Sequence, residues 1–236
     1  MFDYSVIDFG LVIILKGALA TLVYCAIATV VGLTIGILVA LARISKRRSL
    51  RLLAACFIEP FRNTPFLVQA FFIYFGLAQL GVRLSAPVAG IIILSLYGTA
   101  LFAEAIRGGI LSVPTGQLEA ARAMGMPYGE SMRRIVFPQM IGYMTPVITN
   151  LTIGLIKDSA ALAIITVPEL AMAAQVVVGE TFRPVETYII VATIYWVMTT
   201  SVTRIFSTLH RQSQRRRGRA AEALHLSTSL TGGEHR

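Results

Sequence analysis

Charge is scarce in this sequence. Only 14% of its 236 residues are Asp, Glu, Lys or Arg, whereas a soluble domain carries about 25%. The charges also gather between long apolar runs, as they must if those runs face lipid. Cysteine is nearly absent: Cys25 and Cys56 stand alone in apolar or interfacial stretches. They exclude a disulfide framework or a paired metal motif and read as buried thiols. The three histidines, His210, His225 and His235, all fall near the end of the chain, so none is available for proton relay inside a bilayer. No G-x-x-x-x-G-K-[ST] loop is present, which excludes nucleotide hydrolysis by a P-loop in this chain. The start carries Asp3 and Asp8 and no basic cluster, unlike a secretory signal peptide. Long period-2 alternation is also missing, which argues against a membrane barrel.

What remains is apolar. Hydrophobic residues make up 56% of the chain, in runs that predict an all-α integral membrane protein with about five spanning helices. We place them near residues 12–41, 54–80, 86–106, 139–157 and 186–207, each near the roughly 20 residues a bilayer requires. The first run is broken only by Lys16 and is too long for a signal core. The net charge of +9 suits membrane orientation better than nucleic acid. Arg43, Lys46, Arg47, Arg48 and Arg51 follow the first helix without an acid among them, which places that loop in the cytoplasm. Arg211, Arg215, Arg216, Arg217 and Arg219 place the end of the chain on the same side. The segment from Asp158 to Glu186 is richer in acids and suits the outside. The expected orientation is therefore N-terminus out, C-terminus in. Residues 1–210 read as the membrane domain. Residues 211–236 read as a basic, flexible cytoplasmic tail lying near anionic head groups.

The segment 107–138, RGGILSVPTGQLEAARAMGMPYGESMRRIVFP, is too long for a structureless connector. Pro114 suits a first helical turn, and Gln117 to Met124 are good helix formers. Gly125 can end that helix in the left-handed conformation, and Pro127 can begin another. A helix, a glycine break and a helix on the cytoplasmic face make either a docking element for a soluble partner or an interfacial amphipathic element.

Three stretches carry a family resemblance. Glu119-Ala120-Ala121, then Gly125, Ile135 and Pro138 at fixed spacing, resembles the EAA loop of bacterial ABC importer permeases, with Phe137 where a leucine is usual. Glu59 to Gln69, EPFRNTPFLVQ, is similar to E-x-x-R-G-T-P-L-L-V-Q of polar amino-acid permeases. Ala103 to Gln117, AEAIRGGILSVPTGQ, is similar to another stretch of that family. Lys157-Asp158-Ser159 matches the family's K-D-T-S-L only in part. The resemblance covers about residues 10–210. It implies the type I importer (MetI-like) fold and a permease subunit of an ATP-driven importer for polar amino acids of the histidine, glutamine and arginine group, in a bacterial inner membrane. It further implies a second permease subunit, identical or related, a separate ATP-binding subunit and an external solute-binding protein. ATP and Mg²⁺ would sit on the partner, with no cofactor on this chain. Glu119, Ala120, Ala121 and Gly125 would form the ATPase-coupling contact.

Other residues invite readings from chemistry alone. Glu59 and Arg62, and Glu104 and Arg107, stand three apart and could pair at the cytoplasmic interface. Gly32 and Gly36 form a G-x-x-x-G that permits close helix packing. Gln69, Asn150, Thr152, Lys157 and Asp158 are polar groups in or beside apolar runs, and Gln69, Asn150, Lys157 and Asp158 are candidates for the substrate pathway. Lys157 and Asp158 could meet the carboxylate and ammonium of an amino acid, or could anchor a helix in head groups. A stand-alone secondary carrier is the rival function, yet it would want more ionisable groups within the bilayer. A membrane enzyme finds no catalytic or metal constellation in the apolar region.

Overall fold

A computed structural model of the protein describes residues 5–231, with side-chain surroundings over 10–208. Every regular element among the described residues is helical. In order they are α1 Ser5–Arg43, α2 Arg48–Asn63, α3 Phe66–Gln79, α4 Ala86–Leu111, α5 Thr115–Ala123, α6 Tyr128–Ser131, α7 Phe137–Asp158, α8 Leu170–Thr181 and α9 Pro184–Thr231. A π-helical turn, Met132–Val136, joins α6 to α7, and a 3₁₀ segment, Ser159–Ile165, follows α7.

Four helical stretches are long and apolar enough to cross a membrane: Gly10–Arg43, Ala86–Leu111, Tyr128–Ile165 and Pro184–Thr208. They include four of the five expected spans. The expected span over 54–80 is instead two helices, α2 and α3, interrupted at Thr64–Pro65. Proline lacks the N–H that would continue the ladder and drives the preceding residue out of the helical region. Thr64 is accordingly extended, at φ −120° and ψ 150°. The 14 residues of α3 reach only about 21 Å, short of the roughly 30 Å of a hydrocarbon core.

Helix α9 runs to Thr231, so a helical backbone stands where the flexible tail beginning at 211 was expected. Its Arg, Gln, Ala, Glu and Leu residues are favourable helix formers that extend the spanning helix. Residues 232–236 lie outside the described residues, as do the side chains beyond 208.

The core forms where α1 crosses α4 and meets α8. A Cβ at Gly32 would stand 3.1 Å from backbone atoms of Gly98 and Thr99, and one at Gly36 would stand 3.2 Å from the Ala103 nitrogen. The G-x-x-x-G pair thus lets two backbones approach where any side chain would wedge them apart. Cys25, Phe102, Leu155, Ile156, Leu162 and Leu170 fill the surrounding interior. The Cys25 thiol faces the Leu155 carbonyl oxygen at 3.7 Å. Cys56, expected to be buried, is exposed on α2. A second apolar cluster joins Ala40, Ile58, Ala103, Ile106, Val136 and Met140. It carries Val113 and Leu118 with it, and so seats the segment between α4 and α7 on the helix ends.

Candidate coupling and translocation sites

The segment 107–138 folds as its residues direct. Helix α4 ends at Leu111, and Pro114 occupies the cap position of α5. Gly125 adopts φ +80°, a conformation L side chains rarely take. Around it the Gly125 N–H donates to the Arg122 carbonyl and the Met126 N–H to the Ala121 carbonyl, both at 3.0 Å, closing α5 in the manner of a Schellman cap. The chain then re-enters helix at Tyr128 after Pro127 and continues unbroken through the π turn into α7.

Helix periodicity divides the four residues of the expected coupling contact. Leu118 and Ala121 lie one turn apart and face inward, Ala121 at 0% exposure. Glu119 and Ala120 point outward and are exposed, as is Gly125. Ala121 therefore packs against the chain's own body; its methyl does not reach the open face on which it was expected. Met124, 76% exposed, and Tyr128, 59% exposed, flank the glycine turn and offer apolar surface there. Neither residue was singled out in the sequence. Their place beside the Gly125–Pro127 break was the available signal.

A charge network ties the neighbouring helix ends together. Arg43 of α1 meets Glu59 of α2 at 3.1 Å. Asn63 Nδ2 donates to the Glu59 carboxylate at 3.1 Å and to the Glu59 carbonyl at 2.9 Å. Arg62 of α2 meets Glu104 of α4 at 3.6 Å, and Glu104 also pairs with Arg107. The expected Glu104–Arg107 pair is present. Glu59 and Arg62 turn instead to α1 and α4, because each is nearer a partner on another helix than its own neighbour.

The four pathway candidates do not share one cavity. Gln69 sits at the break between α2 and α3. Its Nε2 donates to the carbonyls of Phe61 and Thr64, both at 2.8 Å, and lies 2.9 Å from the Thr64 hydroxyl. It thereby satisfies backbone acceptors that the broken helix leaves open. Its Oε1 is buried without a hydrogen-bond partner, and its side chain borders a cavity of about 340 Å³ lined by Pro60, Phe61, Val68 and Phe72. Asn150 is exposed and borders a different cavity of about 230 Å³ between α7 and α9, with Thr145, Thr149, Thr203 and Ser207. Lys157 is exposed and Asp158 half-buried at the end of α7. The Asp158 carboxylate faces the Tyr97 hydroxyl of α4. Thr152 is buried and donates to the Ile148 carbonyl one turn back at 2.9 Å, a local bond that leaves it inside the helix.

Glu169 falls in the acid-richer segment 158–186 expected to face the outside, yet it is fully buried. It caps α8, its Oε1 accepting from the Met172 N–H at 2.8 Å. Its Oε2 accepts from the hydroxyls of Thr21 on α1 and Tyr195 on α9, at 3.4 and 3.2 Å. The Thr21 oxygen in turn accepts from the Leu170 N–H at 3.1 Å. One carboxylate thus joins three helices. The signal in the sequence was Pro168-Glu169 ahead of an apolar helix, a position where a carboxylate can cap.

Comparison with known proteins agrees with this architecture. Residues 32–215 match the family described as binding-protein-dependent transport system inner membrane component. Among curated relatives, the Probable amino-acid ABC transporter permease protein YckA of Bacillus subtilis (strain 168) is 38% identical over 196 residues, which is 83% of this chain and 86% of that protein. The arginine transport system permease protein ArtQ of the same organism is 34% identical over 211 residues, 89% of this chain and 96% of that one. Among solved structures, a crystal structure of an amino acid ABC transporter with histidines superposes with a TM-score of 0.84 at 35% identity, covering 90% of this chain and 99% of the other. The chain belongs to the inner-membrane component family of binding-protein-dependent transport systems.

Proposed function

We propose that this chain forms part of the translocation pathway for polar amino acids and is driven by a separate ATP-binding subunit through α5 and the Gly125 turn. The observation that carries the reading is the outward presentation of Glu119 and Ala120 on a short helix, closed by a left-handed glycine and rooted by Leu118 and Ala121 in the ends of the spanning helices. A helix rooted in this way can be pushed as a rigid piece. Conformational work has to enter this chain through a contact whose strength differs between the two transport states. Relatives described as amino-acid and arginine permeases favour the substrate class. A second permease subunit would complete the pathway, and an external solute-binding protein would deliver the amino acid. The basic stretch after α1 favours a cytoplasmic position for α5 and the C-terminus, with the N-terminus outside, in a bacterial inner membrane.

Asp158, Lys157, Asn150 and Gln69 remain our pathway residues. Asp158 is the first choice, because a half-buried carboxylate facing a tyrosine hydroxyl near a helix end can receive an ammonium group. The test is purification of the tagged chain from its native host in mild detergent, beside Gly125→Asp. Recovery of an ATPase subunit with the native chain, weakened by the variant, is the expected result. A stable native complex without an ATPase would turn the reading to a secondary carrier.

A further inference from the structure

Helix α2 is held from two sides at its end nearest the break. Glu59 reaches Arg43 on α1, and Arg62 reaches Glu104 on α4. Immediately beyond lie Thr64 and Pro65, where the helix is interrupted, and then α3. The two halves have different neighbours. Helix α2 packs on α1 and α4, whereas α3 packs on the 3₁₀ segment that follows Asp158 and, with Phe66 against Tyr97, on an earlier part of α4. The break therefore separates a part attached to the ends of α1 and α4 from a part attached to the far end of α7 and to α4 near Tyr97.

On its other side, Glu104 stands two turns before the end of α4. Only Ser112, Val113 and Pro114 separate that helix from α5. The link is stiff. The Ser112 N–H and hydroxyl donate to the carbonyls of Gly108 and Gly109 at 2.9 and 2.8 Å, and Val113 is buried. Motion of α5 reaches α7 through α6 and the π turn and, through this short link, the end of α4. From there the charged connection into α2 is the Glu104–Arg62 pair, with Arg107 holding the same carboxylate in place. Arg62 is 42% and Glu104 19% exposed, so the pair is wet enough to break and reform as helices move.

We propose that Glu104 is a positioning residue for transport: it bridges α4 to α2, so that displacement of α5 moves the chain at the Thr64–Pro65 break. This rests on the importer reading, since it needs an ATPase at α5. Coupling through such a bridge requires an element with two arrangements that both ends bias. In this proposal the interrupted α2–α3 pair takes that role.

The test uses the full complex, with its ATPase subunit, reconstituted in lipid vesicles. Amino acid moved per ATP hydrolysed is compared among the native chain, Glu104→Gln, Arg62→Gln, Arg62→Lys and the double glutamine variant. A residue that merely supports the fold would lower yield and rate while leaving this ratio alone. Each single glutamine variant is expected to keep its ATPase subunit and lose about fivefold or more in the ratio. The double variant is expected to be no worse than either, and Arg62→Lys to keep the ratio, because partners in one interaction are not additive. If Glu104→Gln does not assemble, the two Arg62 variants decide the matter. Native ratios in the glutamine variants, or losses that multiply in the double variant, overturn the bridge. A native complex lacking an ATPase overturns the importer reading instead, and the bridge with it.

Discussion

Gly125 allows backbone strain to be separated from contact loss. A Cβ there would meet nothing within 4 Å in the chain, and φ is +80°. The whole intramolecular cost of a side chain is therefore conformational. Alanine in the left-handed region costs roughly 1–2 kcal/mol, a β-branched residue more, and asparagine distinctly less. The strain is not shared with the spanning helices, because only the α5 cap depends on this residue. We expect Gly125→Asn, →Ala and →Val to insert and accumulate equally. Recovery of the ATPase subunit and ATP-driven uptake should fall in that order, with Ala about tenfold below native if some 1.4 kcal/mol of strain is released by undocking. Uptake in inverted and right-side-out vesicles, with copurification from the same membranes, measures both. Equal uptake in all three variants would refute the argument that the left-handed turn sets the position of α5. A loss in Asn as large as in Val would point to steric exclusion by the partner, not to strain.

Other outcomes follow from other parts of the molecule. Gln69→Leu removes the amide that serves the Phe61 and Thr64 carbonyls and should lower stability by roughly 2 kcal/mol or more, read as a lower unfolding temperature in detergent. Gly32→Val places a branched side chain against the Gly98–Thr99 backbone and should cost several kcal/mol, or about the upper end of overpacking penalties; normal accumulation and melting would contradict the close crossing. Glu169→Ala uncaps α8 and strands two hydroxyls, with an expected loss of about 1–3 kcal/mol; Glu169→Gln should recover part of it in the same thermal assay. Asp158→Asn should reduce amino-acid uptake with the complex intact, and unchanged transport kinetics in vesicles would remove Asp158 from the pathway.

The sequence discloses the features that follow from periodicity and from backbone chemistry. Apolar runs mark four spanning helices because lipid demands them, and Gly125 marks a turn because other residues resist its conformation. The Gly32–Gly36 spacing likewise anticipates the backbone crossing with Gly98 and Thr99. Pro65 carries the information that α2 and α3 are separate, yet apolar residues on both sides hide it, since a proline in a spanning helix can also leave only a kink. The inward turn of Ala121 follows from its spacing to Leu118, while the family pattern groups it with Glu119 and Ala120. Glu169 is the least legible. Its partner Thr21 stands 148 residues earlier on α1 and Tyr195 26 residues later on α9, and no local rule distinguishes a buried capping carboxylate from an acid beside the head groups. The pairing of Arg62 with Glu104 over its neighbour Glu59 is likewise a product of tertiary placement.

The long reach of the Glu169 contact also bears on how the protein is made. Helix α1 is synthesised first, but Thr21 meets Glu169 only after 148 further residues have emerged. Gly17, whose open side is filled by Ala173 and by backbone of Glu169 and Leu170, waits equally long. During synthesis the first helix must therefore stay in the bilayer with its seam at Gly17 uncovered, while its seam at Gly32 and Gly36 can close as soon as α4 arrives. Assembly is ordered by this geometry: the α1–α4 pair forms early, α8 covers the opposite half later, and α9 completes the Glu169 contact through Tyr195 last. A chain truncated before α8 would retain membrane insertion and lose a finished interior, leaving α1 the target of quality-control proteolysis.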